Sequence, residues 1–161
     1  MNQAFLKLVN RRFTFNLYLL AKLPSAFFSG VRLLSISADR CVVTVPFKWF
    51  SQNPFRSTYF ACLSMAAEMS TGLLAMINTY QSVPAISMLV TQLESEFFKK
   101  ATGKTFFTCE DGLAMTYAIH HAVETGDPVI FKATSVGKNK EGETVAIFYI
   151  TWSFKVKPKQ V

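Results

Sequence analysis

The chain has 161 residues, half of them apolar and sixteen of them Phe, which excludes a disordered polymer and suffices to bury a hydrophobic core in one domain over 1–161. Lys and Arg exceed Asp and Glu by seven, but the cations are scattered: Lys99-Lys100, Lys138 and Lys140, then Lys155, Lys157 and Lys159 toward a basic tail at 157–161. No run alternates basic and aromatic residues and no basic recognition helix is visible, so a nucleic-acid partner is not expected. The surplus suits a positively biased surface, an anionic ligand such as a CoA nucleotide phosphate, or an acidic membrane. Cys41, Cys62 and Cys109 form no Cys-x-x-Cys pair and no metal spacing with His120 or His121. They fit buried packing in a reducing compartment, so a cytoplasmic protein with neither metal nor cofactor is expected.

Along 2–23, Phe5, Leu6, Val9, Phe13, Leu17, Leu20 and Leu23 recur at helical spacing and predict a helix ended by Pro24. Lys7, Arg11 and Arg12 precede its most apolar run, but Lys22 interrupts the continuation and no cleavage site follows, which favours a helix over a signal peptide. Residues 31–45 read as two short strands around the Ala38-Asp39 turn, and 46–54 as an aromatic loop containing Trp49 and Phe50. A long helix is predicted over 56–78. Its centre could span a bilayer by length, but it carries Glu68 at mid-depth with Ser64, Ser70 and Thr71 nearby. It reads as a helix buried on every side within a soluble protein, so no integral membrane segment is expected.

Strand patterns follow over 86–98 and 105–109, then a short helix over 113–124 that Gly126-Asp127-Pro128 terminates. A hairpin closes the chain, with strands over 129–136 and 144–156. In the last strand Ala146, Phe148, Ile150, Trp152 and Phe154 share one face, with Val145, Ile147, Tyr149, Thr151 and Ser153 opposite. Both faces are apolar enough to predict cover on both sides. One apolar helix and about six mostly antiparallel strands make an α+β plan in which the sheet curls around the helix.

Glu68 is the only Asp, Glu, Lys, Arg or His between Arg56 and Glu94. A lone carboxylate among Ala66, Ala67 and Met69 must be paired, protonated or open to a cavity. One reading ties it to nearby Ser or Thr hydroxyls, or pairs it with Arg56 or a basic group across a dimer. The other makes it a general base with a pKa raised by desolvation. Asn53 suits either a turn before Pro54 or a polar contact to substrate, and Ser57 and Thr58 suit N-caps first and ligand contacts second. His120 and His121 point about 100° apart on their helix, which suits surface positions rather than a metal pair. Met65, Met69 and Met76 read as core filler that would also suit an acyl pocket.

The run Asn53-Pro54-Phe55-Arg56-Ser57-Thr58-Tyr59-Phe60-Ala61, with Glu68 eight residues after Phe60, resembles the hotdog superfamily. It is most similar to the small acyl-CoA thioesterases of the phenylacetyl-CoA type, whose signature reads Asn-Pro-x-Gly-Thr-x-His-Gly-Gly before an acid on the helix. The resemblance covers roughly 30–156. It implies a hotdog fold: a curved, mainly antiparallel sheet wrapped around a long central apolar helix, here with an extra N-terminal helix. It further implies hydrolysis of an acyl-CoA or acyl-carrier thioester in a homodimer or tetramer. Glu68 of one subunit would be base or nucleophile and the Phe60 backbone N–H would hold the oxyanion, with Asn53, Ser57, Thr58, Tyr59 and Ala61 around the substrate. The family's His-Gly-Gly is Tyr59-Phe60-Ala61 here, which keeps the N–H but narrows the approach. That substitution motivates an alternative, a non-catalytic acyl-CoA or fatty-acyl binding protein. Peripheral attachment to a membrane through the basic N-terminal helix ranks behind both.

Overall fold

The computed structural model describes residues 2–158, so Met1 and the 159–161 part of the expected basic tail lie outside the described residues. At the centre is helix α4 (Phe60–Thr79), about 30 Å long. Its Ala, Leu and Met residues favour helix and bury it on most sides. Six antiparallel strands curl around it: β1 (Arg32–Ile36), β2 (Cys41–Val45), β3 (Ile86–Phe97), β4 (Thr105–Cys109), β5 (Val129–Lys138) and β6 (Thr144–Val156). They lie in the order β1-β2-β4-β5-β6-β3, so β1 and β3 are the edges. This is the architecture that the hotdog resemblance implies.

The alternation read from β6 is present, with one of its two faces covered as predicted. Ala146, Phe148, Ile150, Trp152 and Phe154 are all buried, and Trp152 Nε1 donates to Thr71 Oγ1 of α4 at 3.0 Å. The opposite face is less covered than its composition predicts: Val145 and Thr151 are buried, but Ile147, Tyr149 and Ser153 are only half-buried. The helices over Gln3–Asn10, Pro24–Phe28 and Gly112–Thr125 all pack on α4, and none of them covers this face along its length. Phe148 has no exposed surface and sits edge-on to both Phe97 and Phe107. Phe148→Ala is expected to cost about 3–5 kcal/mol in urea unfolding, because the rigid strands around it cannot collapse into the void.

The expected N-terminal helix is three short ones: α1 (Gln3–Asn10), α2 (Arg12–Lys22) and α3 (Pro24–Phe28). Asn2 ties α1 to the far end of α4 through Asn2 N–H to Ile77 O at 2.9 Å and Nδ2 to Tyr80 O at 2.8 Å. Arg11 then leaves the helical conformation (φ −80, ψ 89), and α2 starts with a new phase. Phe5 and Val9 are buried as predicted, but in α2 Phe15 and Leu19 face the core. Phe13, Leu17, Leu20 and Leu23 are exposed, contrary to the predicted stripe. A single straight helix over 2–23 would run about 33 Å, and the break at Arg11 divides it.

Helix α5 (Gly112–Thr125) runs between β4 and β5, with the Asp111 carboxylate accepting the Thr134 N–H at 2.7 Å. A Cβ on Gly112 would lie 2.3 Å from the Ala38 carbonyl oxygen, so only glycine lets this helix start abut the β1–β2 turn. His120 and His121 are exposed on α5. The three cysteines are free and buried, and Cys41 stands opposite Cys109 across β2–β4. Desolvation pushes the Cys109 thiol up to about 12 and Cys41 up as well, which suits inert packing groups. Helix α4 is long and apolar enough to cross a membrane, and 67% of that stretch is buried inside the protein.

Candidate functional site

The lead-in to α4 is fixed by its own polar residues. Asn53 Oδ1 accepts the N–H groups of Phe55 at 3.0 Å and Ser57 at 3.2 Å, and the Ser57 hydroxyl at 3.3 Å. Between them Arg56 takes a left-handed conformation (φ 58), which blocks a helix from starting at 56 as the sequence suggested. Thr58 then donates both its N–H (2.8 Å) and its hydroxyl (3.1 Å) to the Ala101 carbonyl. Ser57 and Thr58 are therefore not N-caps, a correction to their first expected role. They are buried and hold the lead-in to itself and to the β3–β4 loop. Asn53 forms the turn of its first reading, and it also lines the groove at the start of α4.

The residue before the helix is Tyr59, extended at φ −62, ψ 135, with no side-chain cap; its own N–H goes to Ser51 O at 2.7 Å. The next two N–H groups, of Phe60 and Ala61, find no acceptor among the described residues. They point out of the positive end of a 20-residue helix. The Tyr59 and Phe60 rings stand edge to face, 4.8 Å between centroids, and both are largely exposed. A groove of about 540 Å³ opens here between Asn53, Tyr59, Phe60 and Leu63 on one side and Phe97 to Ala101 on the other. Phe97 and Phe98 carried no sequence signal as site residues; only the non-local Thr58–Ala101 bonds bring them in.

Glu68 lies elsewhere on the helix. Its carboxylate makes no hydrogen bond or ion pair among the described residues. The hydroxyls that could have held it are used otherwise: Ser64 bonds Phe60 O, Ser70 bonds Ala67 O and Ser135, and Thr71 bonds the Glu68 backbone and Trp152. A Cβ on Gly72 would meet Glu68 Oε1 at 3.2 Å and the Trp152 ring at 3.3 Å, so the carboxylate rests over bare helix backbone beside an indole. Beyond it is a second hollow of about 230 Å³ lined by Lys22, Leu23, Pro24, Met65 and Met69. Burial raises the Glu68 pKa above its ordinary 4.5.

The raised pKa fixes the sign of a stability effect. Above 4.5 the unfolded chain gives up the Glu68 proton more readily than the folded one, so this group costs stability as pH rises through its folded pKa. Glu68→Gln is expected to be more stable than the parent in urea unfolding near neutral pH. The difference should vanish below 4.5, where both states hold the proton.

A curved six-stranded antiparallel sheet around one apolar helix, with a lone acid on that helix and free amides at its start, defines a hotdog fold. A Pseudomonas aeruginosa protein of unknown function, described as a probable thioesterase, matches with TM-score 0.76 and 17% identity over 90% of this chain and 96% of its own. A protein of unknown function from Chlorobaculum tepidum gives 0.78 and 16% over 96% and 100%, and a thioesterase from Haemophilus influenzae gives 0.64 and 10% over 90% and 90%. The chain belongs to the family described as a domain of unknown function (DUF4442), which matches residues 12–154. No curated protein matches it in sequence.

Proposed function

We propose that the protein hydrolyses acyl thioesters, of CoA or of an acyl carrier, at sites shared between two copies of the chain. The observation that carries this reading is the presence on one helix of a desolvated, unpartnered carboxylate at Glu68 and unpartnered N–H groups at Phe60 and Ala61. Phe60 and Glu68 are about 12 Å apart along the axis, too far for the acid to serve a carbonyl held at its own helix start. Two α4 helices running antiparallel would set the acid of each copy against the amides of the other. Strand β3 supports such pairing, since it is a 12-residue free edge whose residues 91–97 are exposed on both faces, Leu93 and Phe97 included.

In this scheme Glu68 takes a proton from water as the water oxygen bonds to the thioester carbon. The carbonyl oxygen becomes an oxyanion held by the Phe60 N–H and the helix N-terminus. The C–S bond then breaks, Glu68 returns the proton to the sulfur, and a carboxylic acid and a thiol leave. Lys100, Lys104 and Lys140 line a hollow of about 420 Å³ that adjoins the groove at Lys100 and Ala101 and could seat the phosphates of a CoA-type substrate. The scheme accords with two structural relatives, a probable thioesterase from Pseudomonas aeruginosa and a thioesterase from Haemophilus influenzae.

A second reading, acyl binding without chemistry, is favoured by the Tyr59–Phe60 aromatic pair standing in front of the free amides. Incubating the purified protein with acyl-CoAs of varied chain length and following free thiol separates the two. Thiol release supports hydrolysis, and saturable binding without release supports the second reading. Neither release nor binding would refute both.

A further inference from the structure

Helix α2 is apolar on two opposite sides. Phe15 and Leu19 fill the core, while Phe13, Leu17 and Leu20, one helical turn apart in succession, face outward. Phe13 is 78% exposed and Leu17 50%. Single exposed apolar residues are ordinary on a protein surface, but three in register on one helix face are a surface without its partner.

The charges around this face say what that partner is. The first Asp or Glu in the whole chain is Asp39, so α1, α2 and α3 carry no carboxylate at all. Around them Lys7, Arg11, Arg12 and Lys22 are all exposed and make no ion pair among the described residues, and Lys22 turns toward the Glu68 hollow. Arg32, just beyond, is occupied by the Phe27 and Val31 carbonyls and the Phe27 ring. An exposed apolar stripe flanked by the free cations Lys7, Arg11 and Arg12, with no acid on the three helices, is the pattern of a helix that lies in the headgroup layer of a negatively charged bilayer.

We infer that α2 docks this protein onto anionic membrane surfaces, with Phe13, Leu17 and Leu20 inserted among the acyl chains and Arg11 and Arg12 on the lipid phosphates. A second copy of the chain is the competing occupant. It is disfavoured because two such faces would bring six like charges together with no acid between them. The inference does not depend on the thioester chemistry.

Flotation of the full chain with vesicles tests it. The protein should float with equimolar phosphatidylglycerol–phosphatidylcholine vesicles and remain behind with phosphatidylcholine alone, and added salt should release it. Arg11→Gln with Arg12→Gln should weaken binding roughly thirtyfold, as expected for two surface cations. Phe13→Ser with Leu17→Ser should abolish it with an unchanged Tm, since both side chains are already exposed. Failure of the parent protein to float, or equal flotation of the Phe13→Ser/Leu17→Ser protein, would overturn the inference. So would a change of oligomeric state on light scattering in that variant, because it would give the face to a second copy.

Discussion

Under the proposed function, Glu68→Gln is expected to lower thioester hydrolysis by about 10²–10⁴-fold, the range for loss of a positioned general base, and to leave the fold intact. Gln keeps the shape of the side chain and removes only its ability to take a proton. Nothing else among the described residues near the helix centre can replace it, since Lys22 is the only other ionisable group lining the hollow. Because burial raises the Glu68 pKa above 4.5, activity of the parent protein should rise with pH along a limb displaced above the ordinary glutamate range. The residual activity of the Glu68→Gln variant should lack that limb. A pH–rate profile of kcat/KM, taken beside the unfolding measurements, checks both. The variant should lose activity while gaining stability near neutral pH, a combination that a merely structural glutamate would not give.

Phe60→Pro is expected to lower the proposed hydrolysis by about 10²–10³-fold, the usual consequence of deleting one oxyanion donor. Proline is accommodated at the first position of a helix, where its absent N–H breaks no intrahelical bond. Tyr59 already has the extended conformation that a residue before proline requires, so α4 should start unchanged. Phe60→Gly provides the contrast. It keeps the N–H and removes the ring that stands against Tyr59. Its kcat/KM should match or exceed that of the parent, with the gain appearing mainly in KM if the ring narrows the approach. Loss in the Gly variant equal to that in the Pro variant would mean that the Phe60 ring, and not its amide, is what matters.

The central helix and Glu68 were legible in the sequence for one physical reason. A charge is costly in an apolar helix, so its presence there stands out against every neighbour. The alternation along β6 gave its two faces correctly, because a period of two has only two phases, but the predicted cover of both faces held for the Ala146 to Phe154 face alone. What failed depended on contacts remote in sequence. Ser57 and Thr58 have the composition of helix caps, yet Thr58 spends its donors on Ala101, more than forty residues away, and the helix begins later than local propensity suggests. The predicted stripe of α2 had the correct period and the wrong phase, since the turn at Arg11 rotates the helix and no residue in 2–23 announces it. The second wall of the groove, Phe97 and Phe98, belongs to the same class: exposed aromatic residues at a strand end have no local reason to be near Phe60.

The most direct test of a shared site is to mix the Glu68→Gln and Phe60→Pro proteins after reversible unfolding and measure thiol release. Each variant alone should be nearly inactive. A mixed pair unites the Glu68 of one copy with the Phe60 amide of the other at one of its two sites, so equal mixing should restore about a quarter of the parent activity. A mixture no more active than either variant alone, with mixed dimers shown to form, would contradict a site shared between two copies.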